Sequence, residues 1–345
     1  MDEKERPRLL TVVIWLIKAL AAGALALILL SVVVTGYEFT GTHIDNPEGY
    51  TDYKWNPYQY KGTMTEGFSW LSMDQNGFNN GYPAADAVDI LLMGSSHMEA
   101  VNIPPDKNVG YLLNERLGKE AGLYTYNIGV SGHTLYHCAK NMEAAVDTYH
   151  PSVVAVETST VELDTTAMEK VLAGSYPKLK SYDSGLLYQI QRIPSIKWLY
   201  KQAGNLSFPA AASAASPAPS WEKDRVAYAA ALDGLLAQMK AAADRSGADL
   251  ILFYHPTLRL NADGSASVDT PAEALALFAS LCEENGVVFL DMTADFLENY
   301  RLAHTLPHGF SNTPVGTGHL NETGHALVAD RLCGAIAALK EQVSS

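Results

Sequence analysis

Cysteine is scarce in this chain and forms no pattern. Cys138, Cys282 and Cys333 stand far apart among 345 residues. No C-x-x-C occurs, so neither a zinc site nor a disulfide scaffold is indicated. The three read as small buried apolar side chains. Histidines are present without an H-E-x-x-H or similar spacing, so neither a metal nor a cofactor is expected. Basic residues are in deficit, 24 Lys and Arg against 38 Asp and Glu, for a net charge of −14. That excludes a nucleic-acid binder, which needs a basic face for phosphates. Charged residues make up only 18% and hydrophobic residues 48%. That balance excludes a disordered chain and supplies a sizeable core. No internal repeat occurs.

One long apolar run is present. Leu9 to Thr35 reads LLTVVIWLIKALAAGALALILLSVVVT, with Lys18 its single charge. A bilayer core takes about 20 such residues, and a lysine stem can reach toward headgroups. A cleaved signal has an apolar region of about 7–15 residues and an A-x-A-like site. This run is longer and ends without such a site, so a retained anchor is expected. Residues 9–35 would then contact membrane lipid. Lys4, Arg6 and Arg8 precede the run and should stay cytoplasmic. The expectation is a single-pass cell-membrane protein whose acidic remainder faces outward.

The chain divides into a cytoplasmic tip and anchor (1–36), an aromatic-rich linker or lid (37–85) and an α/β domain (86–345). Residues 37–85 show little periodicity but carry Tyr53, Trp55, Tyr58, Tyr60, Phe68 and Trp70, read as packing residues with carbohydrate contact as the alternative. Buried-strand runs follow at Val88–Met93, Tyr124–Ile128, Val153–Val156, Asp249–Tyr254 and Val287–Leu290. Helical patterns lie around Val109–Ala121, Tyr136–Tyr149, Arg225–Ser246, Pro271–Asn285 and Gly324–Gln342. Alternating strands and helices imply a parallel sheet covered on both faces. An insertion at about 161–222 breaks the rhythm and ends in an Ala/Ser/Pro-rich stretch, expected as a mobile loop.

Three turns carry candidate chemistry. The first strand ends in Gly94-Ser95-Ser96-His97, the second leads into Asn127–Thr134 (NIGVSGHT), and HLNETGHALVA begins at His319 before the last helix. Ligands bind at the carboxyl ends of strands in open α/β sheets. A serine there is a candidate nucleophile, and a loop histidine a candidate base. Read singly, each is equally a helix cap or a surface residue.

Together the three segments resemble the SGNH hydrolase superfamily of GDSL-like esterases and acyltransferases. The resemblance covers about residues 86–160 and 245–340. It implies a three-layer α/β/α fold with a five-stranded parallel sheet in the order 2-1-3-4-5. It implies Ser96 as nucleophile, His319 as base, and an oxyanion hole from the N–H groups of Ser96 and Gly132. His97 and His133 follow the site turns and are candidates for substrate contact. The family's G-x-N-D block has no counterpart in Val153–Asp164 (VVAVETSTVELD), where Ser159 or Thr160 is the candidate replacement. The family's aspartate, three residues before the histidine, is replaced by Gly316. A backbone carbonyl or another acid, such as Glu157 or Asp291, is left to orient His319; otherwise both acids are polar strand ends. The expected function is that of an exported, membrane-anchored serine esterase or O-acyltransferase acting on acyl groups of cell-envelope glycans. The alternative is a catalytically degenerate domain that binds glycan or scaffolds an envelope complex.

Overall fold

The computed structural model describes residues 6–37, 42–81, 87–179, 190, 193–196, 198–199 and 220–344. The chain divides into two compact units, one of Met1–Thr40 with Asp183–Ala214 and one of Gly41–Tyr182 with Ala215–Ser345. In the first, the apolar run forms the helix Arg6–Tyr37. Its segment Leu10–Val33 has mean hydropathy 2.5 and is long enough to cross a membrane, as a span or as a signal sequence. Ser31 Oγ donates to Ser195 Oγ at 2.9 Å within this unit. The Ala/Ser/Pro-rich stretch lies, up to residue 219, outside the described residues.

The second unit opens with two antiparallel hairpins, β1 (His43–Asp45) with β2 (Tyr53–Trp55) and β3 (Tyr60–Thr63) with β4 (Ser69–Ser72). The main sheet comprises β5 (Ile90–Met93), β6 (Thr125–Asn127), β7 (Val153–Thr158), β8 (Asp249–Tyr254) and β11 (Val288–Asp291). Between β8 and β11 lies a small antiparallel pair, β9 (Arg259–Leu260) and β10 (Ala266–Ser267). The main-sheet order is β6-β5-β7-β8-β11, with every pair parallel. Numbered among themselves, these strands run 2-1-3-4-5, as the sequence led us to expect.

Alternation along each strand builds the two core layers. Leu91, Met93, Val154, Val156, Leu250 and Leu252 face helices Leu135–Tyr149, Arg225–Arg245 and Ala272–Glu284. Ile90, Leu92, Val153, Ala155, Ile251 and Phe253 face Val109–Leu113, Thr293–Ala303 and Glu322–Ser344. Both faces are buried, which is why these strands are continuously apolar rather than alternating. Fully burying each such side chain contributes about 1.5–3 kcal/mol. Local caps set the helix starts: Asp224 accepts from Ala227 N at 2.9 Å, and Asn108 from Tyr111 N at 2.8 Å. Cys138 and Cys282 are free and buried, while Cys333 is only partly covered.

The chain leaves β5 for β6 on one side, then returns to β7 on the other. That reversal opens a crevice at the carboxyl edge beside β5, the place where such sheets bind ligands.

Candidate active site

The turn after β5 enters this crevice. Ser95 caps the single-turn helix Ser96–Glu99, its hydroxyl accepting from His97 N at 3.2 Å. The Ser95 N–H donates at 2.7 Å to Glu157 Oε2, on the neighbouring β7. A Cβ at residue 94 would stand 2.6 Å from Met98 Cγ and 2.8 Å from Glu157 Cβ, so only glycine lets the turn close this tightly. Ser96 thereby sits at the carboxyl edge of the sheet, and its N–H has no acceptor among the described residues.

His319 arrives from the loop before helix Glu322–Ser344. Asn321 stakes that loop down: its Nδ2 donates to Leu306 O at 2.7 Å and Gly309 O at 3.0 Å, while its Oδ1 accepts from Gly324 N at 3.1 Å. The result brings His319 Nε2 to 2.8 Å from Ser96 Oγ, across 223 positions of sequence.

The other ring nitrogen of His319, Nδ1, lies 2.7 Å from Glu66 Oε1. The same oxygen accepts the His319 backbone N–H at 2.7 Å. An ionised carboxylate only accepts, so the ring proton sits on Nδ1 and the Nε2 lone pair faces the serine hydroxyl. Glu66 stands in the turn between β3 and β4, within the segment expected to be a linker or lid. Side chains of Asn102 and Asn312 hold this turn in place. Asn102 Nδ2 donates to Glu66 O at 2.9 Å, Gly67 N donates to Asn312 Oδ1 at 2.8 Å, and Asn312 Nδ2 donates to Met64 O at 3.0 Å.

Of the expected orienters, a backbone carbonyl or another acid such as Glu157 or Asp291, it is another acid, Glu66, that faces His319, and not the two acids named. Glu157 is buried and committed to His255 Nε2 at 2.9 Å and to Ser95 N. Asp291 accepts from Thr293 N at 2.9 Å. No local pattern around Glu66, in Thr-Glu-Gly-Phe, marks it as anything but a turn residue.

Gly132 belongs to the loop after β6, and that loop is bonded to the nucleophile turn. Val130 N donates to Gly94 O at 3.0 Å, and Asn127 Nδ2 to Met98 O at 2.6 Å. Gly132 holds φ +82°, a left-handed conformation natural to glycine, and its N–H has no acceptor among the described residues. Beside it, Glu99 is fully buried and accepts from Trp55 Nε1 at 2.7 Å and from the Ser131 hydroxyl. Burial pushes the Glu99 carboxyl up despite these bonds. Ser159 and Thr160 line a cavity of about 80 Å³ together with Ser95, His133 and Thr134.

Beneath Ser96 and His319 lies a cluster of buried imidazoles. His97 Nδ1 accepts the N–H of Leu320 at 3.1 Å, so the residue after the candidate nucleophile holds the residue after the candidate base. The His97 ring lies 5.2 Å from His319, 4.7 Å from His255 and 5.6 Å from His308 between centroids. Burial, then the charge of His255, lowers His97 to about 3. Burial likewise lowers His308 to about 2 and His325 to about 3. Burial alone would raise Glu157, but the bond and charge of His255, the charge of His97 and the Ser95 N–H bring it down to about 2. His133 is buried, stacks on His137 at 5.1 Å, and is lowered to about 3, again by burial first.

Donor atoms of His97, Glu157 and His255 lie within 4.8 Å of one another, the one such grouping among the described residues. Their hydrogen bonds argue against a metal there. His97 Nδ1 accepts from Leu320, so a neutral ring carries its proton on Nε2 and has no second lone pair to offer.

No protein-family profile matches the chain, and no curated protein sequence does. Three solved structures are similar to it in fold. TesA is 14% identical with a TM-score of 0.38, over 71% of this chain and 95% of its own. The acetyl xylan esterase AlAXEase is 16% identical with a TM-score of 0.40, over 72% of this chain and 100% of its own. The psychrotrophic esterase EstA from Pseudoalteromonas sp. is 12% identical with a TM-score of 0.40, over 74% of this chain and 99% of its own.

Proposed function

We propose that the chain is a serine esterase or O-acyltransferase with Ser96 as nucleophile, His319 as general base and Glu66 as the group that orients the base. The observation that carries this reading is the continuous series Ser96 Oγ to His319 Nε2 at 2.8 Å and His319 Nδ1 to Glu66 Oε1 at 2.7 Å. A serine hydroxyl is a weak nucleophile until a base removes its proton. In this reading Ser96 Oγ bonds to the ester carbonyl carbon as its proton passes to His319 Nε2. The N–H groups of Ser96 and Gly132 hold the oxyanion. The C–O bond to the alcohol then breaks, and His319 returns the proton to the departing oxygen. Water, or a sugar hydroxyl in the transferase case, attacks the acyl-serine by the reverse route. Glu66 meanwhile stabilises the imidazolium without taking its proton.

The apolar helix and its basic flank favour an exported, membrane-anchored enzyme, and that location makes acylated cell-envelope glycans the proposed substrates. The degenerate-binder alternative drew its force from the missing asparagine and the missing acid beside His319; Glu66 supplies an acid by another route. The test is labelling of the full-length chain with a fluorophosphonate, together with hydrolysis of 4-nitrophenyl acetate. Labelling that disappears in Ser96→Ala and slows steeply in His319→Ala is expected. A folded wild-type chain that neither labels nor hydrolyses would return the degenerate binder to first place.

A further inference from the structure

Exposed aromatic side chains are concentrated on one hairpin. In the unit that holds the sheet, among the described residues, they are Tyr58, Tyr60, Phe68 and Trp70, at 67%, 59%, 62% and 56% exposure. Scattered single apolar residues are ordinary on a surface, but a contiguous patch marks a binding surface.

The hairpin register explains how they line up. Gly62 faces Trp70 and Tyr60 faces Ser72. Alternation therefore puts Tyr60, Gly62, Trp70 and Ser72 on one face, and Phe68 continues that face toward the turn. The opposite face, with Lys61, Thr63, Ser69 and Leu71, is buried. A Cβ at residue 62 would stand 2.5 Å from Trp70 Cζ3 and 2.6 Å from Cε3. Glycine at this position lets the indole rest against the β3 backbone, with more than half of its surface open. Trp70 is thus held by the strand beneath it and loses little freedom on binding.

The stripe leads to the site. Glu66, in the turn of this hairpin, bonds His319. Trp70 is four residues further on, within about 13 Å of chain reach.

We propose that Phe68, Trp70 and Tyr60 form a stacking platform for the sugar rings of an acylated glycan, which lies along the hairpin while its ester reaches Ser96. The proposal rests on the ester reading above and adds the subsite that selects the substrate. Aromatic faces carry partial negative charge, and the C–H groups on a pyranose face carry partial positive charge, so the two surfaces stack. A bilayer is the less fitting occupant. An interfacial surface pairs its aromatics with Lys and Arg, whereas residues 58–72 contain a single cation, Lys61, which points to the buried side.

The experiment uses the full-length chain in detergent and O-acetylated β-1,4-linked glucose oligomers of one, three and six sugars. Acetate release is measured alongside 4-nitrophenyl acetate hydrolysis. KM should fall as the oligomer lengthens from one sugar to three. Trp70→Ala should raise KM for the longer oligomers about tenfold, the equivalent of one stacking contact. It should leave kcat and 4-nitrophenyl acetate turnover unchanged, and Trp70→Phe should restore most of the loss. Length-independent KM, or equal slowing of both substrates in Trp70→Ala, would overturn the platform and leave Trp70 a structural support for Glu66. Quenching by brominated lipid in nanodiscs that falls in Trp70→Phe below its wild-type extent, beyond the constant share from Trp15 in the apolar helix, would put the indole in the bilayer and overturn it as well. If the wild type turns over neither substrate, the ester reading has failed separately. Calorimetric titration of the Ser96→Ala chain with the six-sugar oligomer then decides the platform on its own, binding lost in Trp70→Ala supporting it and absent binding refuting it.

Discussion

One oxygen of Glu66 accepts both the ring Nδ1–H and the backbone N–H of His319, each at 2.7 Å, although 253 positions separate the two residues. A single carboxylate therefore sets the histidine's tautomer and holds the loop that carries it. The acid that the resemblance places three residues before the histidine is Gly316 here, and a carboxylate from an N-terminal hairpin reaches His319 instead.

Glu66→Gln preserves size but substitutes an amide that can donate to Nδ1 and so favour the wrong tautomer. Turnover of 4-nitrophenyl acetate should drop by about 10³–10⁴-fold, the scale of losing the orienting acid in a serine triad. Glu66→Asp should lose less. Steady-state kinetics on the folded variants decides this, and undiminished activity in Glu66→Gln would remove Glu66 from the mechanism.

Gly316→Asp should not raise activity, and it should not rescue Glu66→Gln. The position His319 would need filled is already taken by Glu66. Gly316 also holds φ +70°, and a Cβ there would meet Leu306 Cδ1 at 3.2 Å. A side chain at that φ is strained. A rate gain in the single variant would show that Glu66 orients His319 poorly.

His255→Leu should destabilise the chain by roughly 3–5 kcal/mol, because it leaves the buried Glu157 carboxylate without the imidazole that bonds it at 2.9 Å. The double variant His255→Leu/Glu157→Leu should recover part of this loss, since no uncompensated charge then remains. Urea denaturation measures both. A His255→Leu midpoint equal to wild type would mean that Glu157 is not ionised in the folded chain.

Stability should fall on mild acidification. His97, His133 and His325 are held at about 3 and His308 at about 2, against about 6.5 in an unfolded chain. Between these values the unfolded chain binds protons that the folded chain refuses, so stability declines as pH drops below about 6.5. Glu157, lowered to about 2, adds a second loss beginning below its unfolded value of about 4.3. Urea midpoints between pH 7.5 and 4.5 should decrease with a slope corresponding to uptake of about two to four protons on unfolding. A flat midpoint from pH 7 to 5 would mean that these histidines titrate freely in the folded state.

A periplasmic-type alkaline phosphatase, which folds only after export, should be active when fused after Ser345. The expectation follows from the basic flank before the apolar run. Activity of a cytoplasm-restricted reporter at the same position would reverse the topology.

The sequence by itself determined the sheet, because strands buried on both faces must be short, continuous apolar runs, and Ile90–Met93, Val153–Val156 and Leu250–Tyr254 are such runs. The turns at Gly94–Ser96, at 129–132 and at His319 were legible as one site only together, through the resemblance their blocks carry, since each read singly is equally a helix cap or a surface residue. Helix Thr293–Ala303 escaped, because its apolar face is narrow and only Phe296 is fully buried. Tertiary structure alone decided the acid. Glu66 becomes the partner of His319 through the packing of Asn102 and Asn312 against one hairpin turn, and neither its neighbours nor its spacing records that contact. The buried imidazoles have the same origin: His97, His255, His308 and His325 come from four separate segments. Folding removes His97, His308 and His325 from water and so lowers their pKa values, a property that exists in three dimensions and has no linear pattern.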